Sequence, residues 1–510
     1  MKRTAALFLF LPLVLPFNLL AQAAAPAPVS VSRSAEDKRV YREAMEAADK
    51  KIQSEISAHS ELMKNLEYLT THIGSRLTGS PGMQKASQWT LQRFRDYGLD
   101  AHLESLEIPH AYNRGQDSAA LVAPLARSVA IHALGWSKPT PGEVSGDVVI
   151  VTAKREEELG AEKSKLKGAV VLFGEPSKVP PDGDHPDNAY DAVIAPVRGV
   201  PEPGSENSSR QRRALLRAIA AEQPAAIIFD SGKTDNLFNM GGANLGARSQ
   251  RYQASAAPMA FITHEDYALI ARLAKAGAVS MKVNLTGTLS AGPAPAAITV
   301  AEIKGSELPD ERVIIGGHLD SWDLGTGALD NGTGAMAVLE AARALKALGW
   351  KPRRTLTFIL FTGEEQGSVG ASTFLKNHEA EIPKINALLI HDTGTGRVFS
   401  IALENLWATA PLMNEIYQPL QEVFDLEPLS SRYFGSSDHV PFLRRGVPSY
   451  FCIQKPAHYR EAHHSQTDTF DKVLPDEINQ GAAVLAAWMW NVSQMPPPLP
   501  HHETTPEPAE

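Results

Sequence analysis

The sequence predicts an α/β fold: a mixed, mostly parallel sheet flanked by helices, with a smaller β-rich α/β domain inserted into it. Three observations carry that prediction. Residues 313–370 read as strand, helix, strand, with short apolar runs on either side of a helical pattern. Residues 112–295 change character to short β runs separated by turn-rich breaks. At 510 residues the chain is too long for one ordinary core, so two domains are expected.

The elements follow in order. Residues 1–23 carry Lys2 and Arg3, an apolar run and a small-x-small end, Ala21-Gln22-Ala23, which is the layout of a secretory signal peptide. Pro12, Pro16 and Asn18 interrupt the run, which is short for a membrane span. The mature chain is therefore expected to be secreted or periplasmic, without a membrane anchor. Residues 37–60 read as helix. Residues 62–97 hold two more helical patterns, split by a turn-rich loop at 73–82, and 101–108 alternate like a strand.

Residues 112–295 are expected to form the inserted domain. Its β runs include 148–151, 169–173 and 225–229, with a helix at 211–221 and a Pro/Gly/Asp/Ser-rich surface loop at 178–209. Residues 258–285 give strand, helix, strand, and 290–297 read as a linker. The main domain would then comprise 35–111 and 296–495. It resumes at Ile298 and contains the apolar strand Val313-Ile314-Ile315 before Gly316-Gly317. A helix follows with Val338, Leu339, Ala342, Leu345 and Leu348 at helical spacing, stopped by Gly349 and Pro352. Strands at 355–361, 386–390 and 448–454 and helices at 370–377, 411–423, 436–442 and 475–491 complete it. The Pro-rich tail, 496–510, is expected to be disordered.

Composition is that of a globular protein, 43% hydrophobic and 21% charged. A net charge of −9 without charge clusters argues against a nucleic-acid partner. Cys452 is the only cysteine, so no internal disulfide can form.

The chemistry-bearing residues collect where the strands of the main domain end: His318, Asp320, Asp330, Glu364, Glu365, Asp392 and His464. Open α/β sheets bind ligands outside the carboxyl ends of their strands. Imidazole plus carboxylate, without thiolate, suits zinc, with manganese or cobalt as substitutes. Five such ligands can serve two metals if one carboxylate bridges. The adjacent Glu364 and Glu365 can supply a ligand and an uncoordinated general base. Each residue alone has an ordinary reading as a turn, cap or surface group; their number within one domain points to a site. Asp323 is read as loop structure.

The segments GGHLDSWDLGTGALDNGTGA, FTGEEQGSVGA, HDTGTG and HHSQTDT resemble the zinc peptidases of family M28, in particular its plasma glutamate carboxypeptidase branch. The resemblance implies a zinc exopeptidase fold with an inserted protease-associated domain, and two zinc ions per chain. His318 and Asp392 would hold one zinc, Glu365 and His464 the other, and Asp330 would bridge. Glu364 would be the general base, and Asp320 would orient the His318 imidazole. Many relatives carry Tyr where this chain has His463, and the resemblance implies an oxyanion or substrate role for His463. Asp438 and His439, in a segment closer to aminopeptidases and glutaminyl cyclases, are expected either to cap a helix and pack or to line the substrate pocket.

The resemblance thus implies hydrolysis of dipeptides or short peptides as substrates, and a homodimer is compatible with it. Two other functions fit the same scaffold. A glutaminyl cyclase would use a single zinc, and a non-catalytic binding protein would have lost ligands that are all retained here.

Overall fold

Helix formation begins at a capping box: Ser34 Oγ accepts from Asp37 N–H at 3.0 Å, and Asp37 accepts in return from Ser34 N–H at 3.2 Å. In this computed structural model residues 34–179, 205–243 and 251–505 are described. The segment read as a signal peptide and most of the 178–209 loop lie outside the described residues.

Helices α1 (Ala35–His59), α2 (Leu62–Tyr68) and α3 (Pro81–Asp96) precede strand β1 (Asp100–Ile108). Ser80 caps α3 through Met83 N–H, with Pro81 in the first turn. Next come β2 (Tyr112–Asn113), β3 (Ser118–Ala123), β4 (Arg127–Val129), β5 (Ile131–Ala133), β6 (Val144–Val151) and β7 (Val170–Phe173). They are followed by α4 (Ser205–Ala221), β8 (Ala226–Asp230), β9 (Met259–Ile262), α5 (His264–Ala276), β10 (Ser280–Asn284) and β11 (Thr288–Leu289). Eight of these strands form one sheet in the order β4-β3-β10-β6-β7-β8-β9-β5. Strands β2 and β11 pair antiparallel beside it, so the two ends of the 112–295 segment run side by side.

The remaining elements are β12 (Ala294–Ile303), β13 (Leu308–His318), α6 (Thr333–Ala347), β14 (Arg354–Phe361), α7 (Val369–Asn377), β15 (Ile385–Ile390) and β16 (Val398–Ala402). Last come α8 (Ala410–Phe424), α9 (His439–Arg444), β17 (Ser449–Gln454), α10 (Tyr459–Ala462) and α11 (Pro475–Gln494). Their sheet is ordered β1-β12-β14-β13-β15-β17-β16. The central strands β14, β13, β15 and β17 are parallel, and the pairings outside them are antiparallel. Helices α1, α6, α8 and α11 bury one face, with Ile52, Leu339, Leu420 and Trp488 in a single core. Phe374 of α7 and Phe442 of α9 cover the other. Every residue of β14 and β15 is buried, which is why both are mostly apolar and show no alternation with a polar face.

Three expectations need correction. The linker read at 290–297 is already strand from Ala294: Ala294 stands opposite Ile108, whereas pairing with β14 starts only at Thr299. Pro295 therefore falls where β12 has one neighbour and needs no second donor. Strand β16 is absent from the sequence reading because Val398–Ala402 is short and lacks the alternating pattern; all five residues are buried. The tail is ordered through residue 505, because Leu499 is buried and its N–H donates to Asn386 Oδ1 at 2.7 Å. Thr505 N–H donates to Arg444 O at 3.0 Å, and the buried Arg354 holds the Met495 and Pro496 carbonyls.

Candidate metal centre

Parallel pairing of β13 with β14 and β15 puts three carboxyl ends on one side of the sheet. His318 is the last residue of β13, Glu364 and Glu365 follow β14, and Asp392 follows β15. The fourth contribution, Asp330, comes from the irregular turn ahead of α6, where its backbone (φ −121°, ψ 93°) leaves the helical region. Gly334 allows this turn to press against β15: a Cβ there would lie 2.3 Å from the His391 carbonyl.

The His318 ring has a defined tautomer. Its Nδ1–H donates to the Asp320 backbone carbonyl at 2.9 Å, while the Asp320 carboxylate is farther, at 3.5 Å. Asp320 thus orients this imidazole through its carbonyl. Its carboxylate instead accepts from Glu364 N–H at 3.3 Å and from the Thr78 hydroxyl at 3.1 Å. His318 Nε2 is turned toward Asp392 Oδ1 at 3.1 Å and Asp330 Oδ1 at 3.4 Å. Burial alone would lower this imidazole, but Asp392, Asp320 and Asp330 outweigh it and raise it well above its ordinary value. Acids so placed require a proton or a cation at Nε2.

On the other side of Asp330, His464 Nε2 lies 2.9 Å from Glu365 Oε2 and 3.6 Å from Asp330 Oδ2. The two oxygens of one carboxylate therefore face two different imidazoles. His463 stacks on His464 with ring centroids 3.8 Å apart, and its Nε2 is 3.9 Å from Asp330 Oδ2. Burial and the His464 ring push the His463 imidazole down to about 4, so it is neutral and able to act as a ligand or acceptor.

These residues fit a cation. Asp330 Oδ2 and Glu365 Oε1 are buried without a hydrogen-bond partner. Burial, followed by neighbouring carboxylates, drives Glu364 and Glu365 well above the usual carboxyl range, as expected for acids crowded without counter-charge. Ligand atoms within 4.8 Å of one another form two groups: His318, Glu364 and Asp392, and Asp330, His463 and His464. This grouping differs from that expected from the sequence, because it includes Glu364 and His463 and omits Glu365. The 2.9 Å approach of Glu365 to His464 nevertheless keeps Glu365 in the second group's surroundings.

Of the two residues left between a capping and packing role and a pocket role, each takes a different place. His439 is fully buried against Phe451, and its Nε2–H donates to Phe434 O at 2.9 Å, which makes it a packing residue. Asp438 precedes α9 but caps nothing; both its oxygens are buried and unpartnered. Burial and then the Glu364 charge raise its carboxyl well above the usual range.

Several supporting residues escaped the sequence reading. Arg76, in the turn-rich 73–82 loop, is fully buried and donates to the carbonyls of Leu319, Thr326 and Gly327, fixing the loop after β13. Asp468 accepts from Leu329 N–H at 2.6 Å and Asp330 N–H at 3.2 Å, so it sets the Asp330 backbone. Ser437 Oγ donates to Asp392 Oδ2 at 2.5 Å. Only Asp468 carried a signal, its place in the HHSQTDT segment. Asp323, read as loop structure, forms a two-pronged ion pair with Arg114 of the 112–295 segment at 2.9 and 2.8 Å. Tyr252 of that segment packs against Gly363, whose φ of +72° and lack of a Cβ admit the phenol.

With this geometry in view, known proteins can be compared. A family model described as Peptidase family M28 matches residues 299–489. Carboxypeptidase Q of Homo sapiens is 30% identical over 447 residues, covering 87% of this chain and 87% of that protein. A peptidase M28 precursor from Shewanella amazonensis has a TM-score of 0.74 at 27% identity, over 92% of this chain and 100% of that one. BSAP, a zinc aminopeptidase from Bacillus subtilis, shares the fold with a TM-score of 0.60 at 18% identity, over 84% of this chain and 93% of its own. The chain belongs to peptidase family M28.

Proposed function

We propose that the protein is an exported dinuclear zinc exopeptidase that hydrolyses dipeptides or short peptides. The observation that carries this reading is the split environment of Asp330, with Oδ1 toward His318 and Oδ2 toward His464. A carboxylate so placed suits a bridge between two cations. His318 and Asp392 would hold one zinc, and Glu365 and His464 the other. Carboxypeptidase Q and the Bacillus zinc aminopeptidase, as named, are consistent with a metallo-exopeptidase.

When bound, zinc supplies a water that ionises near neutral pH and a Lewis-acid contact for the scissile carbonyl. Glu364 would be the general base: beside the His318 and Asp392 ligands, its carboxyl would take the proton of the attacking water and return it to the leaving amine, with burial favouring the protonated form between the two transfers. Asp320 fixes the Glu364 backbone and the His318 ring at once. His463 stands beside the centre with a side chain 42% exposed, free to hydrogen-bond a peptide. Asp438 keeps an unpaired carboxyl next to Glu364, and residues 112–295 serve as a protease-associated domain over the cleft.

A dipeptide library assayed with and without N-acetylation tests the substrate class. Loss of turnover on acetylation is expected; equal turnover of both sets would contradict recognition of a free N-terminus. The cyclase reading predicts ammonia, rather than free amino acid, from a glutaminyl peptide.

A further inference from the structure

His464 stands in an unusual backbone position for a residue that must aim its ring. Its φ is 57°, in the left-handed region that favours glycine. It follows the single turn of α10. The direction of a side chain is set by the two peptide groups that flank it, and both of these are held from elsewhere.

The carbonyl of His463, which belongs to the peptide before His464, accepts from Lys233 Nζ. The carbonyl of His464 itself accepts from Met240 N–H at 2.7 Å. Lys233 and Met240 lie in the loop after β8, within the 112–295 segment. The Lys233 ammonium also donates to Arg460 O at 3.0 Å and Glu461 O at 3.4 Å. The three N–H groups of one ammonium therefore meet three carbonyls at the end of α10, where Glu461 O also accepts from Ser465 Oγ. The same loop grips Gln466: Phe238 N–H donates to Gln466 Oε1 at 2.9 Å, and Gln466 Nε2 donates to Asn236 O at 3.0 Å.

We infer that Lys233 is a positioning residue for the metal centre: from the second sheet's domain it locks the peptide that aims His464 at Glu365 and Asp330. This rests on reading His464 as a metal ligand. The 112–295 segment supplies none of the proposed ligands, yet by this inference it helps build the site rather than only roofing it. A lysine suits the task because its three donors can satisfy diverging carbonyls, whereas a planar guanidinium favours a flat pair of acceptors.

The test follows zinc release from the full-length, zinc-loaded protein into a chromogenic chelator. Lys233→Met should speed release of one zinc per chain roughly 10- to 100-fold, as loss of an orienting contact does at other metal sites, and leave the other zinc at the wild-type rate. Lys233→Arg should restore part of the difference. Arg114→Met, which cuts a different contact between the two parts of the chain, should leave both rates unchanged. His464→Ala should abolish the same zinc outright. Should Lys233→Met fail to fold, Lys233→Gln, which keeps two donors, carries the same expectation with a smaller shift. If His464→Ala loses one zinc while Lys233→Met behaves as wild type, the positioning role is overturned. It is equally overturned if Arg114→Met accelerates release as much as Lys233→Met. If His464→Ala keeps both zincs, the ligand reading falls and the inference with it.

Discussion

In two of the places where the molecule buries acid, it manages it in different ways. Asp49, fully buried where α1 meets α11, is a single carboxyl whose two oxygens each accept from Asn491 Nδ2, at 3.1 and 3.2 Å. Burial lifts it to about 7, and the group that hydrogen-bonds it is a neutral amide. Beyond the ends of β13, β14 and β15, the carboxyls of Asp320, Asp330, Glu364, Glu365, Asp392 and Asp438 crowd together, and buried oxygens of Asp330, Glu365 and Asp438 have no hydrogen-bond partner. One isolated acid can be accommodated by a proton. A cluster of acids interleaved with imidazoles, with oxygens left over, is arranged for cations. On the proposed function, the contrast separates an acid that serves packing from acids that serve chemistry.

The largest expected effect tests that division within the cluster. Glu364→Gln keeps shape and removes basicity, so kcat should fall by about 10²- to 10⁴-fold while zinc content stays at the wild-type level. Loss of zinc comparable to that of Glu365→Gln would make Glu364 a ligand, in keeping with its proximity to His318 and Asp392. Zinc removal comes next. At a free concentration of a thousand times Kd, a bound ion stabilises the folded chain by about 4 kcal/mol, so chelation should lower Tm by several degrees. A Tm indifferent to chelation would remove the cation from the account of the cluster.

Asp49 should respond to pH instead of metal. Its folded value, about 7, lies above the unfolded value near 4, so the folded chain keeps a proton that the unfolded chain releases between those limits. Its contribution therefore destabilises progressively as pH rises from about 4 to about 7, then levels off. Asp49→Asn removes that slope and should be the more stable protein at pH 8, by up to about 4 kcal/mol, with the gap closing toward pH 5. A gap independent of pH would show that Asp49 is not titrating in the folded state. Ser437→Ala is the smallest change: it deletes one hydrogen bond to Asp392 and should weaken zinc about tenfold, without altering the Asp49 titration.

Much of the cluster was legible in the sequence because its members leave strand ends. An apolar run followed by Gly-Gly-His or Thr-Gly-Glu-Glu states both the strand and the residue at its end, and parallel pairing then brings those ends together. What holds the members in place was not legible. Arg76, Ser437 and Lys233 act on carbonyls or carboxylates far away in the chain, and a lone Arg, Ser or Lys in a loop carries no pattern. His439 was open in the sequence to either packing or a pocket role, and α9 turns it inward onto Phe451, the packing alternative. The ordered tail failed for a related reason, because the anchor Leu499 is one apolar residue in a Pro-rich stretch. Asp49 itself gave no signal, since a buried Asp on an amphipathic helix looks like any polar-face residue until Asn491 is placed opposite it.

The central claim is that Asp330 joins two cations, one toward His318 and one toward His464. Anomalous diffraction at the zinc edge from crystals of the zinc-loaded protein tests it most directly. The account predicts two peaks per chain, about 3.5–4 Å apart, one on each side of the Asp330 carboxylate. A single peak at full occupancy in zinc-saturated crystals would contradict it.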